Sequence, residues 1–178
     1  MRDIMKMGII LLLITSVSGM VLGVTNSFTE GVIMERSLEE VISSIETLIR
    51  DADEFEAVED QDVLEKERIK EVYVGYENGS VAGYAIKSFG QGYGGEVEIM
   101  VGIIGDGTIS GVQVMNQSET PGLGDKITEE SFLENFRGNK TNEEVAVDTI
   151  GGATVSSNAV NNAVESAANL YEDILKNR

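Results

Sequence analysis

An uncharged apolar run near the N-terminus constrains this chain more than any other feature. From Met7 to Thr29 no side chain is charged, and most of the 23 residues are Ile, Leu, Val, Met or Gly. A helix of about 20 such residues spans the hydrocarbon core of a bilayer. The sequence therefore predicts a transmembrane helix over residues 7–29.

The charges that flank this run predict its orientation. Arg2 and Lys6 precede it, and Glu30 follows it. Because cationic side chains favour the cytoplasmic side of a membrane, we expect residues 1–6 to form a cytoplasmic tail and the rest of the chain to be extracytoplasmic. The alternative is a cleaved secretory signal, whose apolar part is typically about 7–15 residues long. The run is longer than that, which favours an uncleaved anchor. In both interpretations the rest of the chain lies outside the cytoplasm.

Missing residue types exclude several classes of chemistry. The 178 residues include no His, Cys or Trp. Ser-His-Asp and Cys-His nucleophile pairs, zinc sites of the usual nitrogen and sulfur type, haem with a histidine ligand and iron–sulfur clusters are therefore excluded. The formal net charge of −18 argues against a nucleic acid partner, because that binding needs clustered Lys and Arg. No metal site is predicted, and redox chemistry would have to come from a cofactor.

Residues 30–68 form an acidic segment. Between Glu30 and Glu71 there are fifteen Asp and Glu against five Lys and Arg. Six apolar residues recur there at three- and four-residue spacing, namely Leu38, Val41, Ile42, Ile45, Leu48 and Ile49. That spacing predicts an amphipathic helix, which Ser37 and Glu40 can begin as a capping box, followed by a solvated acidic connector over 51–62. Calcium binding is the alternative use of clustered carboxylates, but no D-x-D-x-D-G pattern is present.

Alternating hydrophobicity begins at Ile69 and predicts a domain over residues 69–178. Four runs of residues alternate in hydrophobicity with period two. The hairpin signal Asn78-Gly79 lies between the first and second runs, and Asp106-Gly107 lies between the third and fourth. The runs contain Val72, Val74 and Tyr76; Val81, Gly83 and Ala85; Val97, Ile99, Val101 and Ile103; and Ile109, Val112 and Val114. The sequence therefore predicts a four-stranded antiparallel sheet.

Two helices are predicted after the sheet. Thr128 can cap a short helix that ends near Gly138. Its inward residues are Phe132, Leu133 and Phe136. An extended piece over 145–147 leads to a terminal helix that runs to about Lys176. The inward face of that helix consists of Val160, Ala163, Val164, Ala167, Ala168, Tyr171, Ile174 and Leu175. Strands followed by packed helices predict an α+β fold.

The segment from Gly151 to Ser157 precedes the terminal helix and combines two glycines with several hydroxyls. The first N–H groups of a helix have no partner within it and attract anions such as phosphate. These residues therefore indicate an anion site. The alternative is that Ser156 or Ser157 only caps the helix, and the residues by themselves leave both interpretations open.

Three segments resemble the FMN-binding domain family. Asp148 to Thr154, with the sequence DTIGGAT, is similar to the family's D-x-x-[S/T]-G-A-T flavinylation motif. SETPGLG at 118–124 and QGYGG at 91–95 resemble two other loops of the family. With the single N-terminal span, their order resembles the G subunit of Rnf electron-transport complexes, and the C subunit of the sodium-pumping NADH:quinone oxidoreductase is a close relative. Gly151 is a departure, because the family usually has Ser or Thr there.

The resemblance implies that a flavin transferase esterifies the phosphate of FMN to Thr154. It places five residues around the phosphate, namely Gly152, Ala153, Val155, Ser156 and Ser157. It places five others near the isoalloxazine ring, namely Glu119, Thr120, Gly122, Leu123 and Tyr93. Asp148 would be part of what the transferase recognises. As alternatives, Glu119 would be a surface carboxylate, Leu123 a core residue and Tyr93 a strand-edge aromatic.

The resemblance also implies a function. The chain would be an electron-carrier subunit, not an autonomous enzyme, of a complex that couples electron flow between ferredoxin and NAD or another acceptor to Na⁺ or H⁺ translocation. Its partners would be the other subunits, a flavin transferase during maturation, and membrane lipid. The alternatives are the C subunit of the sodium-pumping quinone reductase and a non-redox anchored domain that binds another anion.

Overall fold

The computed structural model describes residues 2–177, and for residues 3 and 27–38 it describes the backbone alone. The chain divides into two compact units, residues 1–42 and residues 43–178. Helix α1, Arg2–Leu48, accounts for the first unit and contributes its last turns to the second.

Helix α1 contains the predicted membrane-spanning segment. The stretch Ile4–Asn26 has 23 residues with a mean hydropathy of 2.3, and none of it is buried within the protein. Its length and composition are sufficient to cross a membrane. The capping box predicted at Ser37 and Glu40 involves a Ser37 side chain that lies outside the described residues. The backbone is helical on both sides of it, so no second helix begins there.

A five-stranded antiparallel sheet forms the centre of the second unit. Its strands are β1 Glu54–Ala57, β2 Ile69–Glu77, β3 Ser80–Gln91, β4 Glu96–Ile104 and β5 Thr108–Asn116. They lie side by side in sequence order, and each is antiparallel to the next. Asn78 and Gly79 both have positive φ in the turn between β2 and β3, as the hairpin signal predicts. The predicted α+β class is confirmed.

The prediction of four strands was wrong, because β1 lies in the stretch predicted to be a solvated connector. Its Phe55 pairs with Gly75 of β2, and its other three residues are exposed. An edge strand with one contacting side chain carries almost no period-two signal, which is why the pattern missed it. A short helix α2, Gln61–Leu64, follows, and its Val63 is fully buried. The second unit thus begins at Ser43, well before the alternating pattern.

Helix α4, Thr154–Asp173, packs across β3 and β4. The apolar residues of its buried face are Ala159, Val160, Ala163, Val164, Ala167, Ala168, Leu170 and Tyr171. The approach is closest at Gly90 of β3, where an added Cβ would overlap the backbone of Ala159. One turn further along α4, the Ala163 carbonyl accepts a hydrogen bond from the Ser88 hydroxyl of β3 at 2.9 Å. These contacts hold the backbone of α4 against the sheet.

Short helices fill the space between β5 and α4. A 3₁₀ turn over Gly124–Thr128 precedes α3, Glu130–Leu133, and a second 3₁₀ turn follows over Glu134–Phe136. Phe132 and Phe136 are buried, as predicted, and their rings pack edge to face with the centroids 5.7 Å apart. Residues 145–147 are not a strand.

Small residues form a row across the other face of the sheet. Ala85, Gly102 and Gly111 are direct neighbours on β3, β4 and β5. The last turn of α1 lies on this row, because a Cβ at Gly102 would come within 2.7 Å of the Leu48 Cβ. Leu48 is accordingly buried together with Ile45. Both residues belong to the predicted amphipathic face.

A network of charged side chains joins three strands. The Lys70 ammonium of β2 lies 2.7 Å from carboxylates of Glu96 and Glu98 on β4, and Lys87 of β3 lies 3.6 Å from Glu98. Burial by itself raises the pKa of Glu98, but the hydrogen bonds and positive charges of Lys70 and Lys87 outweigh it and hold this pKa below its ordinary value. The ionised form of Glu98 is therefore the one that stabilises the fold.

Substitution of Gly90 by Ala tests the close approach of α4 to the sheet. The new methyl group would overlap the Ala159 backbone, so we expect the free energy of unfolding to fall by about 2–3 kcal/mol, as in an overpacked core. Gly105→Ala is the matched control, because its Cβ would stay 3.9 Å from the nearest atoms, the carbonyl oxygens of Val81 and Ala82. Denaturant unfolding in detergent measures both variants, and equal stabilities would contradict the packing.

The pH dependence of stability tests the charged network. Because the pKa of Glu98 is lowered by folding, its contribution is complete above the unfolded pKa of about 4.3 and is lost as the pH falls through the folded value. We expect Glu98→Gln to destabilise the protein by about 1.5–3 kcal/mol at pH 7 and by progressively less below pH 4.3. Denaturant titrations across pH 3–7 measure this difference. The exposed Glu77→Gln change should have little effect throughout.

Candidate functional site

A cavity of about 400 Å³ opens where three loops of the second unit meet. One loop follows β3, one follows β5, and the third leads into α4. The lining residues are Tyr93, Glu119, Thr120, Leu123, Gly124, Gly152, Ala153, Thr154, Val155 and Ser156. All but Gly124 are among the residues that the sequence predicted for the site. The loops come from separate parts of the chain, and the fold brings them together.

The N-terminus of α4 forms one wall of the cavity. The helix begins at Thr154, and no side chain caps it at Ala153. The N–H groups of Thr154, Val155 and Ser156 therefore have no acceptor within the helix and carry the positive end of its dipole. An anion in the cavity would meet these donors directly. The exposed Thr154 side chain lies at the same place.

The two serines of the first turn do not cap the helix, so the capping interpretation was wrong. The Ser156 hydroxyl donates to the Glu119 carboxylate at 2.5 Å. The Ser157 hydroxyl donates to the Ala153 carbonyl and accepts from the Ile150 N–H, both at 3.0 Å. Ser157 is buried and holds the incoming loop in place, and it does not line the cavity.

The turn before α4 depends on glycine. Gly152 has φ of +85°, a conformation that side-chain-bearing residues rarely adopt. A Cβ at Gly152 would also come within 3.2 Å of Leu123, so the turn lies directly beside the loop that follows β5. At Gly151, where the motif that this segment resembles usually has Ser or Thr, an added Cβ meets nothing within 4 Å. The turn therefore has room for the side chain that the motif carries at this position, and Gly151 leaves it out.

Glu119 is buried at the cavity wall, which excludes its interpretation as a surface carboxylate. It is 5% exposed. One carboxylate oxygen accepts from the Gly94 N–H at 3.0 Å, and the other accepts from Ser156. The side chain thus ties the glycine-rich loop after β3 to the first turn of α4. Sequence reasoning selected Glu119 for its motif and did not foresee this bridging role.

Three apolar side chains stand exposed around the cavity. Tyr93 is 78% exposed, Val155 51% and Leu123 44%. Leu123 is therefore not a core residue, contrary to the alternative interpretation. Outside α1, large apolar side chains are exposed at few described positions, and these three share one site. Such a surface is suited to an apolar, planar ligand.

Besides Ser157, two of the predicted site residues do not line the cavity, namely Gly122 and Asp148. Gly122 is exposed in the turn before Leu123 with φ of +75°, and it shapes the loop without lining the cavity. Asp148 is exposed in the loop that precedes α4.

Asn161 of α4 is a residue that sequence reasoning missed. Its side-chain oxygen accepts from the Val147 N–H at 3.1 Å, and its NH₂ group donates to the Val147 carbonyl at 3.0 Å. No sequence signal marks Asn161, because its partner is irregular backbone.

The charges at the cavity are unusual for a phosphate site. In the lining as the structure describes it, Glu119 is the one charged side chain, and no Lys or Arg is present. An anionic ligand would have only the N–H groups of α4 as positive partners. The geometry fits a phosphate at the helix start with a ring system over the apolar side chains. The described lining offers no ion pair to retain it.

Comparisons with known proteins agree with this geometry. Residues 92–169 match the FMN-binding domain family, and this range includes all three loops of the cavity. The chain is 33% identical to the G subunit of the Na(+)-translocating ferredoxin:NAD(+) oxidoreductase complex of Acetobacterium woodii, over 98% of this chain and 95% of that protein. It is 31% identical to the G subunit of the ion-translocating oxidoreductase complex of Methanosarcina acetivorans, over 93% of both proteins.

A solved structure is similar in fold to part of this chain. It is the C subunit of the Na(+)-translocating NADH-quinone reductase from Parabacteroides distasonis, with a TM-score of 0.50 and 26% identity. The likeness covers 61% of this chain and 63% of that one. Because the likeness to the A. woodii and M. acetivorans proteins extends over nearly the whole chain, we conclude that this protein belongs to the G-subunit family of ion-translocating oxidoreductase complexes and contains their FMN-binding domain.

Proposed function

We propose that this chain is an electron-carrier subunit of an Rnf-type ion-translocating complex and that FMN is esterified to its Thr154. One observation carries the proposal: an exposed threonine occupies the first position of an uncapped helix beside a cavity of about 400 Å³. Ligand sites in proteins typically have volumes of about 300–1,000 Å³. The likeness to G subunits supports the assignment to such a complex.

The residues of the cavity have separate tasks in this proposal. The N–H groups of Val155 and Ser156 bind phosphate oxygens at the helix start. Leu123 and Tyr93 would offer the ring apolar contacts, and Thr120 would offer it a hydrogen bond. When bound, FMN supplies the one-electron chemistry that no side chain of this protein supplies.

The backbone around the phosphate completes the site. Gly152 and Ala153 line the cavity and bring their main chain next to Thr154. Ser157 and Gly122 contribute indirectly, because Ser157 holds the loop before α4 and Gly122 gives the next loop its turn. These two residues position the groups that touch the cofactor.

Covalent attachment solves a retention problem that the charges create. Residues 1–29 carry Arg2, Lys6 and Asp3, a net of +1, so the rest of the chain carries −18 − 1 = −19. A chain of that charge repels a phosphate, and the described lining of the cavity provides no cationic side chain to compensate. An ester removes dissociation altogether and leaves the phosphate with a single negative charge. The helix N–H groups then need only orient it.

The ester forms when the Thr154 oxygen bonds to the phosphorus of an activated flavin nucleotide. The hydroxyl proton leaves, and the donor's leaving group departs with the electron pair of the phosphorus–oxygen bond that breaks. A flavin transferase catalyses this step and recognises Asp148, which is exposed six residues before the acceptor. The open position of Thr154 gives such an enzyme access.

The subunit passes electrons between neighbouring redox subunits on the extracytoplasmic side of the membrane, with α1 as its anchor in the lipid. By analogy with the A. woodii protein, the complex would couple electron flow between ferredoxin and NAD⁺ to ion translocation. Membership of a quinone-reductase complex, as its C subunit, is the second candidate, and the likeness to the P. distasonis structure supports it. The nearly full-length likeness to G subunits favours the first.

Replacement of Thr154 tests the covalent bond. In protein purified from a host that has the flavin transferase, we expect the peptide containing Thr154 to carry the added mass of FMN less water. Thr154→Ala should lose this mass and its in-gel flavin fluorescence completely. Thr149→Ala is the matched control, because this exposed hydroxyl precedes the helix without lining the cavity, and it should keep the flavin. Flavin that stays covalently bound in Thr154→Ala would refute the proposal.

Thiol labelling tests the proposed orientation. The natural chain has no cysteine, so a single Cys in place of the exposed Asn142 is a unique label site. We expect a membrane-impermeant maleimide to label it fully in intact cells. A Cys in place of Asp3 should react only after the cells are permeabilised, because it would lie in the cytoplasmic tail. The reverse pattern would place the flavin domain in the cytoplasm.

A further inference from the structure

The carboxylate of Glu119 is held at the cavity by contacts that allow little else in its place. A Cβ at Gly92 would overlap one carboxylate oxygen, and a Cβ at Gly124 would come within 2.8 Å of the other. A Cβ at Gly94, whose N–H donates to the first oxygen, would overlap the Ser118 carbonyl. Three glycines from two loops thus enclose this one side chain.

Within the part of the chain that the structure describes, the Glu119 carboxylate has no ionic partner. Its two hydrogen bonds come from neutral groups, the Gly94 N–H and the Ser156 hydroxyl. In the ion pairs formed by the described residues, Glu119 takes no part. Burial of a carboxylate without a counter-charge is unfavourable for the fold, and an apolar residue would avoid that penalty. Core packing alone therefore does not account for an acid at this position.

We propose that Glu119 lowers the reduction potential of the flavin at this site by acting as a fixed negative charge in the cavity wall. This inference rests on the proposed attachment of FMN to Thr154. Each electron that enters the flavin without an accompanying proton brings a negative charge into the cavity that Glu119 lines. Two like charges repel strongly where solvent screening is weak, so the carboxylate opposes the arrival of the electron.

The hydrogen bonds of Glu119 determine how strongly its charge affects the reduction potential of the flavin. Ser156 and Gly94 offset part of its charge, and both are anchored, one in α4 and the other in the loop after β3. These two bonds hold the carboxylate at the cavity wall, where Glu119 is 5% exposed. Glu119 is thus a residue that tunes the potential and needs no chemical step of its own.

Glu119→Gln removes the charge in a side chain of almost the same shape, whose oxygen can accept from the Gly94 N–H while its NH₂ donates to the Ser156 hydroxyl. Full-length protein would be produced with the flavin transferase, and its covalent flavin would be quantified before any potential is measured. In a titration with redox dyes, each dye molecule that gives one electron to the flavin is itself oxidised by one electron. We expect Glu119→Gln to shift the one-electron equilibrium at least tenfold towards reduction, which corresponds to about 59 mV.

Glu130→Gln is the matched control, because it removes the same charge from an exposed position that does not line the cavity. Its potential should equal that of the unsubstituted protein. The shift in Glu119→Gln should also persist in about 0.5 M KCl, because salt screens exposed charges far more than buried ones. A fully flavinylated Glu119→Gln protein with an unchanged potential, or with a shift that disappears in salt, would overturn the inference.

A second variant covers the case in which Glu119→Gln does not fold or is not flavinylated. Ser156→Ala keeps the carboxylate and removes one of the hydrogen bonds that offset its charge, so the potential should fall. An unchanged or higher potential in Ser156→Ala would count against the inference. If the proposed attachment of FMN were wrong, the unsubstituted protein itself would carry no covalent flavin. That result differs from an unchanged potential in a flavinylated variant.

Discussion

The backbone contact between Gly90 of β3 and Ala159 of α4 is the constraint on which the functional site depends. Because no side chain separates the two backbones, α4 lies at a fixed depth on the sheet, and its first residue, Thr154, has a fixed place. The loops that complete the cavity leave the same sheet, after β3 and after β5. The site therefore takes its rigidity from strand pairing and helix packing, although all of its residues lie in loops or at a helix end.

The site also has to hold an anion in an acidic protein. Most of the lysines in the second unit are engaged elsewhere, as Lys70 and Lys87 are in the network on the sheet. That leaves the start of α4 as the positive element at the cavity. A covalent ester is consistent with this arrangement, since it makes affinity unnecessary. In our proposal, the charge of the buried Glu119 would affect the reduction potential of the flavin and would not help to retain it.

Prediction from sequence succeeded where a local pattern reports directly on structure. The hairpin at Asn78-Gly79 and the apolar face of α4 are examples, because turn chemistry and helical periodicity depend on neighbours in the chain. It failed at β1, which is held by pairing with β2 and has no pattern of its own. The site residues came from motif resemblance. That resemblance selected Tyr93, Leu123 and Thr154 together, yet it could not separate Ser156, which lines the cavity, from Ser157, which holds a loop.

The sequence by itself determined the class of chemistry and the membrane-spanning potential of this protein. A chain without His or Cys needs a cofactor for redox chemistry. An apolar run of 23 residues is long enough to span a membrane as a helix. Only the tertiary structure decided which loops meet, that Glu119 is buried against Gly94 and Ser156, and that the end of α1 lies on the row of small residues at Gly102. The physical reason is that these features depend on distances between residues far apart in the chain. Such distances follow from how the sheet and helices pack, and no local pattern encodes them.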